Sequence, residues 1–224
     1  MKYFVANWKE HKNLKEALTW AKEFGALLKK DSKILRKLNG DEIKIIVCPP
    51  FPLLIPFKNE LFQNENIHVG AQNVSHFEGG SYTGEVSAKT LAGIVGYSII
   101  GHSERRQYFS ESDEDIAKKV AHATEYNITP IVCVRNTKDI IPDNVTIVAY
   151  EPPEYIGTGK TQALDAILEM RDTLKLKSNQ IFLYGAGVTE DSVKEYLSTS
   201  QIDGLLIGSA SLDPKRFYDI VSRI

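Results

Sequence analysis

The chain has 224 residues, of which 42% are hydrophobic and 25% are charged, a composition typical of ordinary soluble globular proteins and not of disordered chains. Lysine and arginine number 27 against 29 acidic residues, so the formal charge is −2 and nothing favours a nucleic-acid or membrane partner. A small anion would have to be bound by local donors, such as one lysine and oriented backbone N–H groups.

Eight short apolar segments, rich in β-branched residues, recur about every 30 residues and predict β-strands. Their apolar character is nearly continuous instead of alternating, as expected for parallel strands that are covered on both faces. In chain order the segments are Tyr3 to Ala6, Ile43 to Cys48, Ile67 to Gln72, Ser98 to Gly101, Ile131 to Val134, Thr146 to Tyr150, Ile181 to Tyr184 and Gly204 to Ile207.

Most of the intervening segments carry apolar residues at helical spacing. One helix is predicted behind a Ser112 cap, with acidic residues in its first turn. Residues 135 to 145 are too few for a full helix, so a single turn that ends near Pro142 is expected there. The apolar stripes are Leu14, Leu18, Ala21 and Leu28; Ile116, Val120 and Ala123; Leu164, Ile167, Leu168 and Leu174; and Val193 with Leu197.

No linker, low-complexity tract or long charge run divides the chain, so we expect residues 1–224 to form one domain. Eight strand-helix units favour a closed (β/α)8 TIM barrel, with a shortened fifth helical connection, over an open doubly wound sheet. The turn after the first strand contains Asn7, Trp8 and Lys9 and lacks the glycine-rich fingerprint of a dinucleotide site. A dinucleotide-binding fold is therefore disfavoured.

The cysteines and the N-terminal segment bear on the cellular compartment. Cys48 and Cys133 are far apart, each within an apolar segment, which favours reduced core thiols over a disulfide or a thiolate metal site. The N-terminal segment turns polar too early for a signal peptide, and no apolar run approaches the ~20 residues of a membrane span. We expect a cytoplasmic protein.

The chemistry of such a barrel lies where its strands end, at their C-terminal face. Asn7 and Lys9 follow the first predicted strand, His102 and Glu104 the fourth, and Glu151 the sixth. One cation, one imidazole and one carboxylate are thus predicted to converge on a single mouth. No pair of histidines has metal-ligand spacing, so we expect no metal.

Each of these side chains also has an ordinary structural interpretation. Glu151 could be a solvated carboxylate at a strand end, His102 a hydrogen-bonded structural histidine, and Lys9 a surface lysine. Their shared position at predicted strand ends favours a catalytic role over these structural interpretations. At a helix start the dipole opposes formation of imidazolium, so a neutral His102 that donates a hydrogen bond is plausible.

Glycines mark the loops around the predicted mouth. Pro152 and Pro153 force the chain out of the strand after Glu151, and Gly157 and Gly159 then give a flexible segment that leads into a helix. Such a segment suits a lid whose backbone N–H groups meet an anion. Two further glycine-rich turns, residues 184–188 and 207–211, follow the last two strands, where barrels of this kind commonly bind phosphate.

The chain resembles the triosephosphate isomerase family from Asn7 to Gly208. The resemblance implies interconversion of dihydroxyacetone phosphate and D-glyceraldehyde 3-phosphate, without a cofactor, in glycolysis and gluconeogenesis. The motifs that carry it, all in one order at strand ends, are residues 7–9 (Asn, Trp, Lys), 69–73 (Val, Gly, Ala, Gln, Asn), 82–85 (Tyr, Thr, Gly, Glu), 101–106 (Gly, His, Ser, Glu, Arg, Arg), 150–152 (Tyr, Glu, Pro) and 156–161 (Ile, Gly, Thr, Gly, Lys, Thr).

The resemblance also implies a role for each candidate residue. Glu151 would remove the proton next to the carbonyl, and His102 and Lys9 would stabilise the enediolate oxygen. Asn7 would help to hold the substrate, and Glu104 would position the neighbouring polar groups. The lid would be residues 152–161, and the backbone N–H groups that bind phosphate would be those of Gly157, Gly187, Gly208 and Ser209.

The chain departs from the family pattern at both halves of the usual lid latch. It has Pro, Glu and Tyr at 153–155 where the family usually has Val, Trp and Ala, and Cys, Val, Arg and Asn at 133–136 where the family usually has Cys, Ile, Gly and Glu. We expect Glu154 and Arg135 to form a replacement ion pair that holds one state of the lid. Gly187 stands in place of a serine and Ser209 in place of a glycine, which leaves backbone donors but changes the phosphate loops.

Residues 79–85 resemble the third loop that family members insert into a neighbouring subunit, which implies a two-fold homodimer. Two other functions stay open. One is another phosphate-handling barrel, such as an aldolase or a biosynthetic isomerase, although the last three predicted strands lack the lysine of a Schiff-base aldolase. The other is a non-catalytic phosphate-binding or adhesive protein.

Overall fold

The computed structural model describes residues 1–224 and contains a closed barrel of eight parallel strands arranged in sequence order. The predicted barrel is confirmed, and each predicted strand lies within two residues of an observed one. The strands are β1 Lys2–Asn7, β2 Ile43–Cys48, β3 Ile67–Ala71, β4 Tyr97–Ile100, β5 Thr129–Val134, β6 Ile147–Tyr150, β7 Ile181–Tyr184 and β8 Gly204–Ile207.

Both faces of the strands are buried, which explains their nearly continuous apolar sequences. Alternate residues point inward, and ten of them pack together inside the barrel. Other apolar strand residues, such as Phe4, Ile45 and Val132, belong to a larger cluster of 48 buried residues beneath the helices. Cys48 and Cys133 are buried in the inner cluster as free thiols.

The barrel closes where β8 pairs with β1, with Gly204 opposite Tyr3. A Cβ atom at position 204 would collide with the backbone of Tyr3. Only glycine allows these two strands to approach at the closing seam.

The outer helices begin and end at residues suited to helix termini. Asn13 and Glu16 form a capping box at the start of α1, and Ser112 and Asp115 form another at the start of α6, as the predicted Ser112 cap required. The helices are α1 Leu14–Lys30, α2 Ser32–Asn39, α3 Leu54–Glu60, α4 Ala88–Leu91, α5 Ser103–Tyr108, α6 Asp113–Glu125, α7 Leu164–Thr173, α8 Val193–Tyr196 and α9 Pro214–Val221, with 3-10 turns at Phe51–Leu53, Pro153–Tyr155 and Ser209–Leu212. All four predicted helices are present.

An aromatic cluster joins the first and last helices to the barrel. The rings of Trp20 and Phe24 in α1 stack at 4.7 Å, Phe217 of α9 lies 5.4 Å from Phe24, and Trp8 packs edge-on against Trp20 at 5.0 Å. All four rings are buried. Because Trp8 lies in the loop after β1, this cluster also supports the neighbouring Asn7 and Lys9.

The connection between β5 and β6 contains no helix. It is short, as predicted, but the expectation of one turn ending near Pro142 is wrong. The segment has two hydrogen-bonded turns: the Asp139 N–H donates to Asn136 O, and the Val145 N–H donates to Pro142 O. Pro142 therefore begins the second turn, because its missing N–H is not needed there. No helix in the structure is both long enough and apolar enough to span a membrane.

Candidate active site

The C-terminal ends of the strands surround a cavity of about 290 Å³. Every residue predicted for the site except Glu104 lines it, although these residues come from five different strand ends and the lid. The predicted residues that line the cavity are Asn7, Lys9, His102, Glu151, Gly157, Gly187, Gly208 and Ser209. Glu104 lies in an adjoining cavity that also borders Lys9 and His102.

Glu151 is a buried carboxylate at the centre of this arrangement. The side chain is 2% exposed, and its Oε1 atom lies 3.2 Å from His102 Nε2. The other oxygen, Oε2, is buried and has no hydrogen-bond partner. Since buried carboxylate oxygens are normally satisfied, this free oxygen marks Glu151 as a group poised for a ligand.

The close packing of Gly185 against Glu151 was not predicted from the sequence. A Cβ atom at position 185 would lie 2.9 Å from Glu151 Cγ, so any larger residue would displace the carboxylate. Gly185 directly follows β7, where the glycine-rich turn had been interpreted only as part of the phosphate loops.

His102 forms the N-cap of α5, and its ring is held in one orientation. Its Nδ1 atom accepts a hydrogen bond from the backbone N–H of Glu104 at 3.2 Å. Only a neutral imidazole can accept at Nδ1, so the proton of the ring lies on Nε2 and faces Glu151. Burial lowers the pKa of His102, whereas the nearby negative charge of Glu151 raises it, and the net pKa is raised.

The ionisation of Glu151 depends on the same contact. Burial raises the pKa of Glu151, but the interactions with His102, Cys133 and Lys9 outweigh it, so the net pKa lies below the usual range. The carboxylate is therefore charged near neutral pH and can accept a proton.

Lys9 is fixed by a strained backbone and by three neighbours. Its φ of 52° is left-handed, an unusual conformation for a residue with a side chain. The Lys9 N–H donates to Asn7 Oδ1 at 3.1 Å, and Gln72 Nε2 donates to Lys9 O at 2.8 Å. Lys9 Nζ lies 2.6 Å from Glu104 Oε1. The contact of Gln72 with Lys9 is not predicted from the sequence, although Gln72 lies in the motif of residues 69–73.

A buried arginine supports the turn that carries His102. Arg106 Nε donates to the carbonyl of Gly101 at 3.0 Å, directly before His102 in the chain. Arg106 Nη1 lies 2.7 Å from Asp113 Oδ1 and 3.7 Å from Asp139 Oδ1. These contacts hold the end of β4 in place from behind the cavity.

The prediction of an Arg135–Glu154 ion pair is wrong for the lid state in this structure. Arg135 instead donates to both carboxylate oxygens of Asp139, from Nη2 to Oδ1 at 2.7 Å and from Nε to Oδ2 at 2.9 Å. The Arg135 backbone N–H donates to the same carboxylate. A partner four residues away in a tight turn costs little chain entropy to reach. The arginine therefore pairs within its own connection and not with the lid.

The predicted lid, residues 152–161, ends in close contact with the loop after β7. Gly187 has a φ of 62°, and a Cβ atom there would collide with the carbonyl oxygen of Lys160. Within the lid, Thr158 Oγ1 donates to Tyr155 O at 3.1 Å and accepts from the Lys160 N–H at 3.1 Å. The glycine at 187 therefore does more than remove a hydroxyl, because it makes room for the end of the lid.

The chain matches proteins of one family along almost its whole length. The family profile described as Triosephosphate isomerase matches residues 2–224. Relatives named triosephosphate isomerase include those of Clostridium tetani, 36% identical over 97% of this chain and 94% of the relative, and of Dictyoglomus turgidum, 35% identical over 98% of each chain. A relative of the same name from Clostridium botulinum is 38% identical over 97% of each chain.

The contact between Gly187 and Lys160 predicts that Gly187→Ala loosens the lid. Gly93→Ala is the matched control, because Gly93 has a similar φ of 74° but no atom within 4 Å of an added Cβ. Both variants incur a left-handed strain of about 1–2 kcal/mol, and only Gly187→Ala should also speed amide hydrogen exchange in residues 156–161. Equal exchange in the two variants would contradict the contact.

Proposed function

Because the chain belongs to the triosephosphate isomerase family, we propose that it interconverts dihydroxyacetone phosphate and D-glyceraldehyde 3-phosphate through an enediolate. The observation that carries this proposal is the buried Glu151 carboxylate. It is charged, one of its oxygens is unpaired, and it faces the cavity beside an imidazole N–H and near an ammonium group.

In the proposed reaction Glu151 removes a proton from C1 of dihydroxyacetone phosphate. The electrons of the C–H bond form the C1–C2 double bond, and those of the carbonyl move onto its oxygen. His102 donates its Nε2 hydrogen bond to this oxygen, and the Lys9 ammonium stabilises the developing charge. A proton passes from the hydroxyl oxygen on C1 to the oxygen on C2 by way of His102 Nε2, and return of the proton from Glu151 to C2 then gives the aldehyde, so no electron acceptor or other co-reactant is needed.

We assign Glu104 a positioning role. Its backbone N–H donates to Nδ1 of His102, so the ring proton stays on Nε2, from which it can be donated to bound substrate, and its carboxylate holds Lys9 Nζ. Asn7 lines the cavity and accepts the Lys9 N–H, which fits a residue that holds both the lysine and the substrate. The two proposed electrophilic groups are thus fixed before substrate binds, which lowers the cost of reaching the transition state.

The phosphate group is proposed to bind at the glycine-rich side of the cavity. Backbone N–H groups of Gly157, Gly187, Gly208 and Ser209 are its proposed donors, and all four residues line the cavity. The lid, residues 152–161, would close over the phosphate and exclude water. Exclusion of water protects an enediolate that could otherwise eliminate phosphate. The reaction would serve glycolysis and gluconeogenesis in the cytoplasm.

We also propose that the protein is a two-fold homodimer joined through residues 79–85. This loop is exposed, and its end is stiffened by stacking of Phe77 on Tyr82 at 3.7 Å. A second cavity of about 320 Å³, bordered by Lys9, Glu104 and the exposed Phe109, offers a socket for the same loop of a partner. Such an exchange would bury Tyr82 and Phe109, which are otherwise large exposed aromatic residues.

Glu151→Asp tests the proposed base. Shortening the side chain withdraws the carboxylate by about 1 Å, which should lower kcat by roughly 100-fold because the base no longer reaches the carbon in line. Glu154→Asp is the control, since Glu154 is an exposed lid residue with no ion pair. A coupled assay with dihydroxyacetone phosphate measures both, and wild-type turnover by Glu151→Asp would refute the assignment.

Analytical ultracentrifugation tests the proposed dimer. The wild type should sediment at twice the 25.1 kDa mass of the chain, and Tyr82→Asp should shift it toward the monomer because a charge would be buried in the interface. Turnover should fall with the dimer fraction. Ile140→Asp, a charge placed on another exposed hydrophobic residue, should leave the dimer intact. A fully active wild-type monomer would exclude the proposal.

A further inference from the structure

A second cation lines the cavity besides Lys9. Arg216 lies in the first turn of α9, beside the loops after β7 and β8. Its backbone N–H donates to Asp213 Oδ1, the N-cap of the helix, at 2.8 Å, so the position of the residue is set by the start of the helix. Nothing in the reaction proposed above uses this guanidinium.

Arg216 is paired with Glu190 across the glycine-rich side of the cavity. The Nε and Nη2 groups of Arg216 donate to the two oxygens of the Glu190 carboxylate, with Nη2 to Oε2 at 3.1 Å. Glu190 belongs to the loop after β7, whereas Arg216 follows β8. The pair therefore joins the loop after β7 to the start of α9, which follows the loop after β8.

The geometry leaves part of the guanidinium free. A guanidinium has five N–H donors, and the Nη1 group of Arg216 makes no hydrogen bond in the structure. The Arg216 side chain is 50% exposed, and that of Glu190 is 22% exposed. Glu190 thus holds the Nε and Nη2 groups of Arg216, while the Nη1 group remains available to an anion in the cavity.

The charges around the cavity indicate a role for this guanidinium in binding an anion. Lys9 is paired with Glu104, Arg216 is paired with Glu190, and Glu151 adds a buried carboxylate beside His102. A phosphate dianion entering the cavity is repelled by Glu151 unless cations near its own binding position offset that repulsion. Arg216 is the only cationic side chain on the glycine-rich side of the cavity.

We propose that Arg216 contributes to the affinity of the cavity for the substrate phosphate, and that its counterion Glu190 limits this contribution. The inference rests on the proposed isomerase function, because it names a further residue that recognises the same substrate. Guanidinium and phosphate match in geometry and charge, so the free Nη1 group can add a charge-assisted contact to the backbone donors. A Gly187 loop without a side-chain hydroxyl gains most from such a contact.

A purely structural role makes a different prediction. If the pair only ties the two loops together, removing either partner loosens them, and Arg216→Gln and Glu190→Gln weaken phosphate binding alike. If Arg216 acts through its charge, the two variants change affinity in opposite directions. The sign of the Glu190→Gln effect therefore separates the two roles.

The test measures KM for dihydroxyacetone phosphate and the inhibition constant of inorganic phosphate in each variant. Arg216→Gln should raise both by about 3- to 10-fold, with the loss falling on KM rather than on kcat, because a half-exposed cation is partly screened. Arg216→Lys should recover part of the loss. Glu190→Gln should lower both constants by about 2- to 3-fold, and added salt should shrink all of these differences.

Two controls make the outcomes distinct. Arg36→Gln removes the same charge from the exposed face of α2 and should change neither constant. If wild-type protein does not convert dihydroxyacetone phosphate, the proposed function fails, and calorimetric titration with inorganic phosphate still tests Arg216. Weaker binding in both Arg216→Gln and Glu190→Gln, or unchanged binding in Arg216→Gln, would overturn the inference.

Discussion

The contact between Glu151 and His102 is the interaction on which the proposed active site depends. Their side chains meet at 3.2 Å although they follow different strands, β6 and β4, with β5 between them. An ionised carboxylate with one unpaired oxygen is costly to bury, by about 1–3 kcal/mol or more. The barrel bears this cost because its two apolar clusters hold both strand ends rigidly. Around this pair, Lys9 and the glycine loops complete the cavity.

The fifth connection illustrates how a shortened segment can still support a site. Without a helix, its turn brings Asp139 to Arg135 and near Arg106, and Arg106 holds the carbonyl next to His102. The connection thus braces the histidine from behind and leaves the lid without a charged latch. The end of the lid instead packs against the β7 loop, where the backbone of Lys160 contacts Gly187.

The strands and the mouth could be predicted from the sequence because each leaves a local signal. Continuous apolar segments such as Ile43–Cys48 indicate buried parallel strands, and their ends locate Lys9, His102 and Glu151 at one face. The partner of Arg135 could not be predicted in this way, because it depends on the conformation of a five-residue turn that brings Asp139 next to the guanidinium. Arg216 gave no signal either, because an arginine in a helix is usually solvated, and only the packing of α9 beside β8 brings it to the cavity. The tie of Gln72 to Lys9 likewise depends on two separate strands meeting.

The most direct test of proton transfer by Glu151 follows solvent deuterium during conversion of dihydroxyacetone phosphate in D2O. A carboxylate that holds the proton between C1 and C2 can exchange it with water before returning it. The D-glyceraldehyde 3-phosphate should therefore carry deuterium at C2, and conversion should nearly cease in Glu151→Gln. Product formed at the wild-type rate by Glu151→Gln would contradict Glu151 as the carrier of the proton.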